Sequence, residues 1–418
     1  MSRSSDLLAR YRCVRQRSLS VCAPLSAEDA QVQSMPDVSP AKWHLAHTTW
    51  FFETFVLARV GDTPLDPAFG FLFNSYYETL GAHVDRARRG HLTRPALTVI
   101  HAYRHAIDLR VEDVLAGTPD AETLTLVELG LQHEQQHQEL MLTDIKHVLG
   151  TQPLRPAYRA DLARAASTSV EPAGWQAFAG GIVEIGAQGD DFSYDCERPR
   201  HRVVLPPFRL ATRPICNAEV LAFIEDGGYH EPRLWLSDGF ALAHGEGWQA
   251  PLYWESQDGE WLQYALGGVR EVDPAETACH LSFYEADAIA RWAGARLPTE
   301  AEWEHAAAST LAGEITGNFA DDDCLHPAAA RGETGLRQLF GDVWEWTGSA
   351  FAPYPGFRPL AGALGEYNGK FMANQLVLRG GSCLTPRDHV RASYRNFFAP
   401  SARWQMTGAR LAMDGEQL

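Results

Sequence analysis

The 418-residue chain changes texture near residue 172, and that change limits its possible folds more than any single motif does. Only 7 of its 35 glycines and 2 of its 12 tryptophans come before that point. Upstream, amphipathic runs at residues 5–20, 25–33, 40–59, 96–116 and 122–149 repeat apolar residues with the helical period. Ser39-Pro40 is expected to open the third run, serine as N-cap and proline at N1, and Gly150 to close the last as a C-cap. Such helices joined by loops make, most simply, an antiparallel bundle with an interior able to hold a metal. Downstream, glycine-rich turns and abundant tryptophan predict a loop-dominated α+β fold held by aromatic packing. Short helices are expected there over Asn217–Glu225, Phe283–Ala293 and Thr299–Ala307, the last begun by a capping box of Thr299 and Glu302. Residues 151–176 read as the linker, with Pro153, Pro156, Pro172 and the run Ala165-Ala166-Ser167-Thr168-Ser169.

In the last helical run, His133-Glu134-Gln135-Gln136-His137 sets two imidazoles one turn apart. Residues i and i+4 share a helix face, so both rings can reach one metal ion. The same letters spell the H-E-x-x-H of zinc peptidases. The pair alone leaves the metal, the third ligand and the chemistry open.

The rest of the composition narrows the class. A formal charge of −17 opposes nucleic-acid or membrane-surface binding, which needs clustered Lys and Arg; Arg86, Arg88 and Arg89 are a local exception. Seven scattered cysteines, an odd number without paired spacing, suggest neither a disulfide scaffold nor a CxxC zinc site. Five arginines lie within the first 17 residues, but no apolar stretch follows, and no run of 18 apolar residues occurs. A reducing, cytoplasmic setting is the expectation.

Several stretches together resemble a known family. Ser39-Pro40-Ala41-Lys42-Trp43-His44-Leu45-Ala46-His47-Thr48-Thr49-Trp50-Phe51-Phe52-Glu53 and the HEQQHQEL run resemble the DinB-type bundle of the ergothioneine-type sulfoxide synthases. The C-terminal part resembles the formylglycine-generating-enzyme, or sulfatase-modifying-factor, fold, a variant of the C-type lectin topology. Its landmarks are Ala179-Gly180-Gly181, Glu184-Ile185-Gly186, Ala295-Arg296-Leu297-Pro298-Thr299-Glu300, Gly341-Asp342-Val343-Trp344-Glu345-Trp346, Leu378-Arg379-Gly380-Gly381-Ser382 and Gly408-Ala409-Arg410-Leu411. The implied architecture is α plus α+β: a DinB-like four-helix bundle over 1–155, a linker over 156–176 and a C-type-lectin-like domain over 177–418.

The resemblance implies oxidative C–S bond formation between cysteine and the imidazole of N-α-trimethylhistidine, using non-haem Fe(II) and O₂ and giving a sulfoxide. Asn74-Ser75-Tyr76-Tyr77-Glu78 resembles the branch that takes free cysteine; another branch takes γ-glutamylcysteine. His47, His133 and His137 become a facial ligand set with open positions for substrates and oxygen. His147 suits a peptidase's third ligand poorly, because ten residues beyond His137 leave it roughly 80° off that face, and Glu134 points about 100° from His133. Gln136 shares the ligand face and is expected to bind the trimethylhistidine. Tyr76 and Tyr77 are phenols that stay protonated near neutral pH. One is expected to donate the proton and the other to orient it, with no choice between them. Arg86 is expected to hold the cysteine carboxylate. Asn396 is assigned the trimethylhistidine carboxylate, and Phe397 and Phe398 the walls around its quaternary ammonium. A formylglycine-generating enzyme needs a reactive cysteine pair in its C-terminal segment, where this chain has Cys383 alone, so the fold is read as reused for binding. The rival readings are an ovothiol-type histidine/cysteine sulfoxide synthase, a zinc-dependent hydrolase or thiol transferase, and a non-catalytic ligand-binding protein.

Overall fold

Four long helices carry the N-terminal part: α1 (Arg3–Cys22), α2 (Ala41–Phe52), α4 (Leu97–Ala116) and α5 (Ala121–Thr151), with the short α3 (Ala68–Phe73) between α2 and α4. The computed structural model describes residues 3–162, 170, 172–310, 313–332 and 335–415; the run Ala165–Ser169 of the expected linker lies outside them. The chain divides into two compact units, Met1–Arg159 with Ala361–Tyr367, and Ala160–Leu360 with Asn368–Leu418. The first unit is thus discontinuous in sequence. Seven residues from the region expected to be wholly lectin-like belong with the bundle.

In the first unit, α1 packs on α5 and α4, and α2 packs on α4 and α5, as four helices around one core do. All twelve residues of α2 are buried, so its polar side chains must find partners inside the protein. Lys42 does so by donating to the carbonyls of Leu92 (2.8 Å) and Pro95 (3.0 Å). Close approach of α5 to α2 depends on Gly130, where a Cβ would sit 2.6 Å from the Phe52 ring. Asp120 caps α5 by accepting from the Thr123 N–H at 2.7 Å. Two expected helix ends differ. Gly150 lies inside α5, whose last turn is closed by Thr151 Oγ1 donating to the His147 carbonyl. Pro40, not Ser39, occupies the N-cap of α2, because the Ser39 hydroxyl is taken by Arg89 and its N–H by Asp144.

The second unit is built from short strands. β1 (Trp175–Phe178) and β12 (Ala412–Asp414) flank β4 (Phe208–Ala211) antiparallel, bringing the first and last strands of the unit together. β10 (Asn396–Phe398), β9 (Leu376–Arg379), β8 (Trp344–Ala350) and β11 (Thr407–Gly408) form a second sheet in that order. β2 (Gly181–Ile185) pairs with β3 (His201–Leu205), and β5 (Trp254–Gln257), β6 (Glu260–Ala265) and β7 (Gly268–Glu271) make a meander. The expected helices appear as α6 (Asn217–Glu225), α8 (Phe283–Trp292) and α9 (Glu300–Thr310). In the predicted capping box, Thr299 Oγ1 accepts from the Glu302 N–H, and Glu302 accepts from the Thr299 N–H at 2.7 Å. A further helix, α7 (Ser237–Gly245), has no side-chain cap and contains two glycines. Packing decides it, since Gly239 lies directly against the Tyr284 ring. The seven cysteines are free thiols, five of them buried.

Candidate metal centre

His47 on α2 and His133 and His137 on α5 bring one ligand atom each to within 4.8 Å of one another. Their ring centroids form a nearly equilateral triangle of 4.6–4.9 Å sides. His47 Nε2 and His133 Nε2 are 3.2 Å apart. Two nitrogens at right angles on one ion, with bonds of about 2.1 Å, stand about 3 Å apart, so this spacing fits a shared metal. The outer nitrogens are turned away: His47 Nδ1 lies 2.6 Å from the Phe73 carbonyl and His137 Nδ1 lies 2.8 Å from His44 Nδ1. His133 Nδ1 is buried and has no hydrogen-bond partner among the described residues. Burial pulls the His133 pKa down to about 3, and burial together with neighbouring His133 pulls those of His47 and His137 well below the ordinary value. The three rings are therefore neutral at pH 7, with lone pairs free for a cation. A neutral all-nitrogen set with open positions suits a divalent first-row metal that binds further ligands.

Aromatic rings hold the His47 ring in place. The His47 ring stacks on Trp43 (4.6 Å, 10°) and lies 5.7 Å from Trp50, its neighbours at i−4 and i+3. On Trp43 rests the guanidinium of Arg89, 3.5 Å from the ring centroid. Arg89 is buried, donating to Ser39 Oγ (3.0 Å) and Ser75 Oγ (2.8 Å). Arg86, the arginine singled out from sequence, is exposed and donates to the Asp37 carbonyl. The buried cation of this run is Arg89. Asp85 caps the 3₁₀ turn Arg86–His91, and that turn, which spacing alone does not reveal, seats Arg89, the third arginine of the run, inward.

Glu134 is locked on the opposite side of α5. Its carboxylate accepts from Arg15 Nη1 (2.9 Å), Ser18 Oγ (2.6 Å) and Arg104 Nη2. Burial alone would raise its pKa, but Arg104 and Arg15 hold it down near 2. A peptidase needs this carboxylate at the metal as a base, and here it is spent on an internal ion cluster.

Of the two tyrosines, Tyr77 is fully buried, its ring against Phe55 (5.2 Å), Trp50 (5.9 Å) and Tyr76 (4.7 Å). Asn74 brackets its backbone, accepting from the Tyr77 N–H and donating to the Tyr77 carbonyl, both at 3.0 Å. Tyr76 is half-buried. A third phenol, not found from sequence, lies against the histidine triangle. The Tyr367 ring is 5.7 Å from the His133 ring and 6.3 Å from the Tyr76 ring, and its hydroxyl donates to Gln136 Oε1. The adjacent Glu366 accepts from the N–H groups of Glu78 (3.0 Å) and Thr79 (3.1 Å) and from Thr79 Oγ1 (2.7 Å), tying this segment to the turn after Tyr77.

Asn396, Phe397 and Phe398 form strand β10 of the second unit. Asn396 Oδ1 accepts from the Phe397 N–H, Phe397 stacks on Phe351 (4.0 Å, 11°), and Phe398 meets the edge of Trp404 (5.9 Å). Part of the Phe397 face is thereby committed to packing.

Comparison with known proteins matches the N-terminal and C-terminal stretches to two different families. Residues 10–141 match the DinB superfamily, and residues 168–332 and 327–415 match the sulfatase-modifying factor enzyme 1-like domain. The hercynine oxygenase of Mycolicibacterium thermoresistibile is 35% identical over 98% of this chain and 95% of its own length. That of Mycolicibacterium smegmatis is 33% identical over 96% of each. The formylglycine-generating enzyme of Streptomyces coelicolor is 31% identical over 57% of this chain and 88% of its own length. With similarity spanning nearly all of this chain and of both hercynine oxygenases, and both matched domains present, the chain belongs to the hercynine oxygenase family.

Proposed function

We propose that this protein is a non-haem iron, O₂-dependent sulfoxide synthase that joins the sulfur of cysteine to the imidazole of N-α-trimethylhistidine (hercynine) in ergothioneine biosynthesis. The observation that carries the reading is the convergence of three neutral imidazoles, His47, His133 and His137, in a chain of this family. The reaction balances as thiol plus imidazole C–H plus O₂ giving sulfoxide plus water: two electrons come from forming the C–S bond and two from oxidising sulfur. Iron(II), when bound, supplies the activation of oxygen and a common anchor that brings the two organic substrates together.

The chain's own groups do the rest. A phenol beside the ligand set is a proton source that stays protonated near neutral pH, and Tyr367 stands against His133 with its hydroxyl oriented by Gln136. Tyr76 and Tyr77 back it, Tyr76 edge-on and Tyr77 buried behind. Gln136 has a role in aiming the phenol besides the substrate contact assigned to it. Arg89 and Trp43 press His47 into one orientation, and the resemblance assigns Asn396, Phe397 and Phe398 to the hercynine carboxylate and ammonium.

The test is anaerobic protein loaded with Fe(II) and given cysteine and hercynine, then O₂, with oxygen uptake and product mass followed. Uptake that requires both substrates, with a sulfoxide product, is expected. Peptide hydrolysis with zinc and no oxygen uptake with iron overturns the proposal, as does a preference for unmethylated histidine.

A further inference from the structure

His137 is held from behind by two residues in series. Its Nδ1 is 2.8 Å from His44 Nδ1, and His44 Nε2 is 3.0 Å from Asp144 Oδ2. His44 and Asp144 are enclosed in the bundle, 2% and 4% exposed, while His137 itself is half-buried. Asp144 is fixed in turn by the Ser39 N–H, which donates to Oδ2 at 2.7 Å. Helix spacing sets each member on its face, Asp144 on the His133–His137 stripe of α5 and His44 about one turn before His47 on α2, and the packing of α2 on α5 joins them.

The hydrogen-bond inventory allows a single arrangement of neutral rings. An ionised carboxylate only accepts, so His44 must carry its proton on Nε2; the other tautomer would set a lone pair against the carboxylate. His44 Nδ1 is then an acceptor, so His137 must carry its proton on Nδ1. That leaves the His137 Nε2 lone pair free within the histidine triangle. Reversed, the chain would put a hydrogen on His137 Nε2, where a metal could not bind.

We propose that Asp144 and His44 are positioning residues that set the tautomer of His137 through two imidazoles in series, making its Nε2 a metal ligand before any metal arrives. A metal-bound histidine commonly donates its second N–H to a carboxylate or carbonyl directly. Here a second imidazole stands between, so the carboxylate acts on a ligand with which it shares no hydrogen bond. The inference deepens the reading of His137 as a metal ligand and concerns no change of net charge.

The test uses the full-length protein and reads metal binding and tautomers, independent of turnover. In Zn(II)-loaded protein with ¹⁵N-histidine, NMR is expected to show His137 protonated at Nδ1 and His44 at Nε2; His44 protonated at Nδ1 overturns the proposal. His44→Phe, which removes the acceptor, is expected to weaken Zn(II) and Co(II) binding by about 10- to 100-fold. His44→Asn, whose carbonyl can accept from His137, recovers most of that loss. Asp144→Leu weakens binding too and lets His44 change tautomer. Unchanged metal affinity in Asp144→Leu beside a weakened His44→Phe overturns the relay. If the variants fail to fold, the wild-type spectrum decides. A protein with these signatures that forms no C–S bond keeps the relay and loses the proposed reaction; one that forms the product with His44 protonated at Nδ1 does the reverse.

Discussion

On the proposed function, single side chains at the centre divide into those that would hold a metal and those that would manage protons, and substitution separates the two. His47→Ala removes a ligand outright, so Fe(II) and Zn(II) affinity should fall by more than the about 10- to 100-fold that loss of an outer partner costs. Equilibrium dialysis measures this; a peptidase using His133 and His137 with a downstream ligand would keep its metal. Tyr367→Phe removes one oxygen 5.7 Å ring-to-ring from His133 and should leave metal affinity unchanged while lowering the rate of sulfoxide formation by about 10²- to 10⁴-fold. Single-turnover kinetics after an O₂ pulse check it. In the second unit, burial pushes the Asp342 carboxyl from 3.8 up to about 6, against the Ala328 N–H, Asn318 and Gln338, which all favour its ionised form. The folded value lies above the unfolded one, so the native state holds the extra proton between about pH 4 and 6. Stability should fall by about 3 kcal/mol as pH rises across that window, and Asp342→Asn should flatten the slope in denaturant titrations.

Among the elements, α2 and α5 make the site because they lie close enough for ligands on both to share one ion. Gly130 sets that approach. Gly130→Ala drives a methyl into the Phe52 ring and should cost about 1–3 kcal/mol despite the better helix propensity of alanine, weakening metal binding along with it. Thermal unfolding and metal titration of the same variant should move together. The shared face of His133 and His137 on α5 is legible from sequence because four residues make about one turn. His47 was legible only through the resemblance, since nothing local to α2 distinguishes it from His44. Its neighbour's role in the relay emerges only when α2 and α5 are packed. Arg86 and Arg89 differ by three positions in one basic run, and the cap on a single 3₁₀ turn decides which is buried. Tyr367 carried no signal at all: it sits in a loop without apolar periodicity, more than two hundred residues from the histidines.

Over the whole molecule, the bundle and the strand-rich unit follow from the shift in glycine and tryptophan usage, but the return of Ala361–Tyr367 to the bundle does not. Both feet of that excursion are tied to one carboxylate of the second unit, Asp195, which accepts from the Leu360 N–H (3.3 Å) and Asn368 Nδ2 (2.7 Å). Replacing residues 361–367 with seven glycines and serines in the full chain should leave metal affinity intact and abolish the sulfoxide product, read by metal titration and product mass. The excursion also orders events on the ribosome. All three histidines are synthesised by residue 137 and their bundle helices by 151, whereas Tyr367 follows the end of the bundle's first stretch at Arg159 by 208 residues. At about 5–20 residues per second that is an interval of roughly 10–40 s. On the proposed roles, a nascent chain would therefore present all three candidate ligands well before Tyr367 exists, and the choice of ion would be open to the cell before the chemistry is.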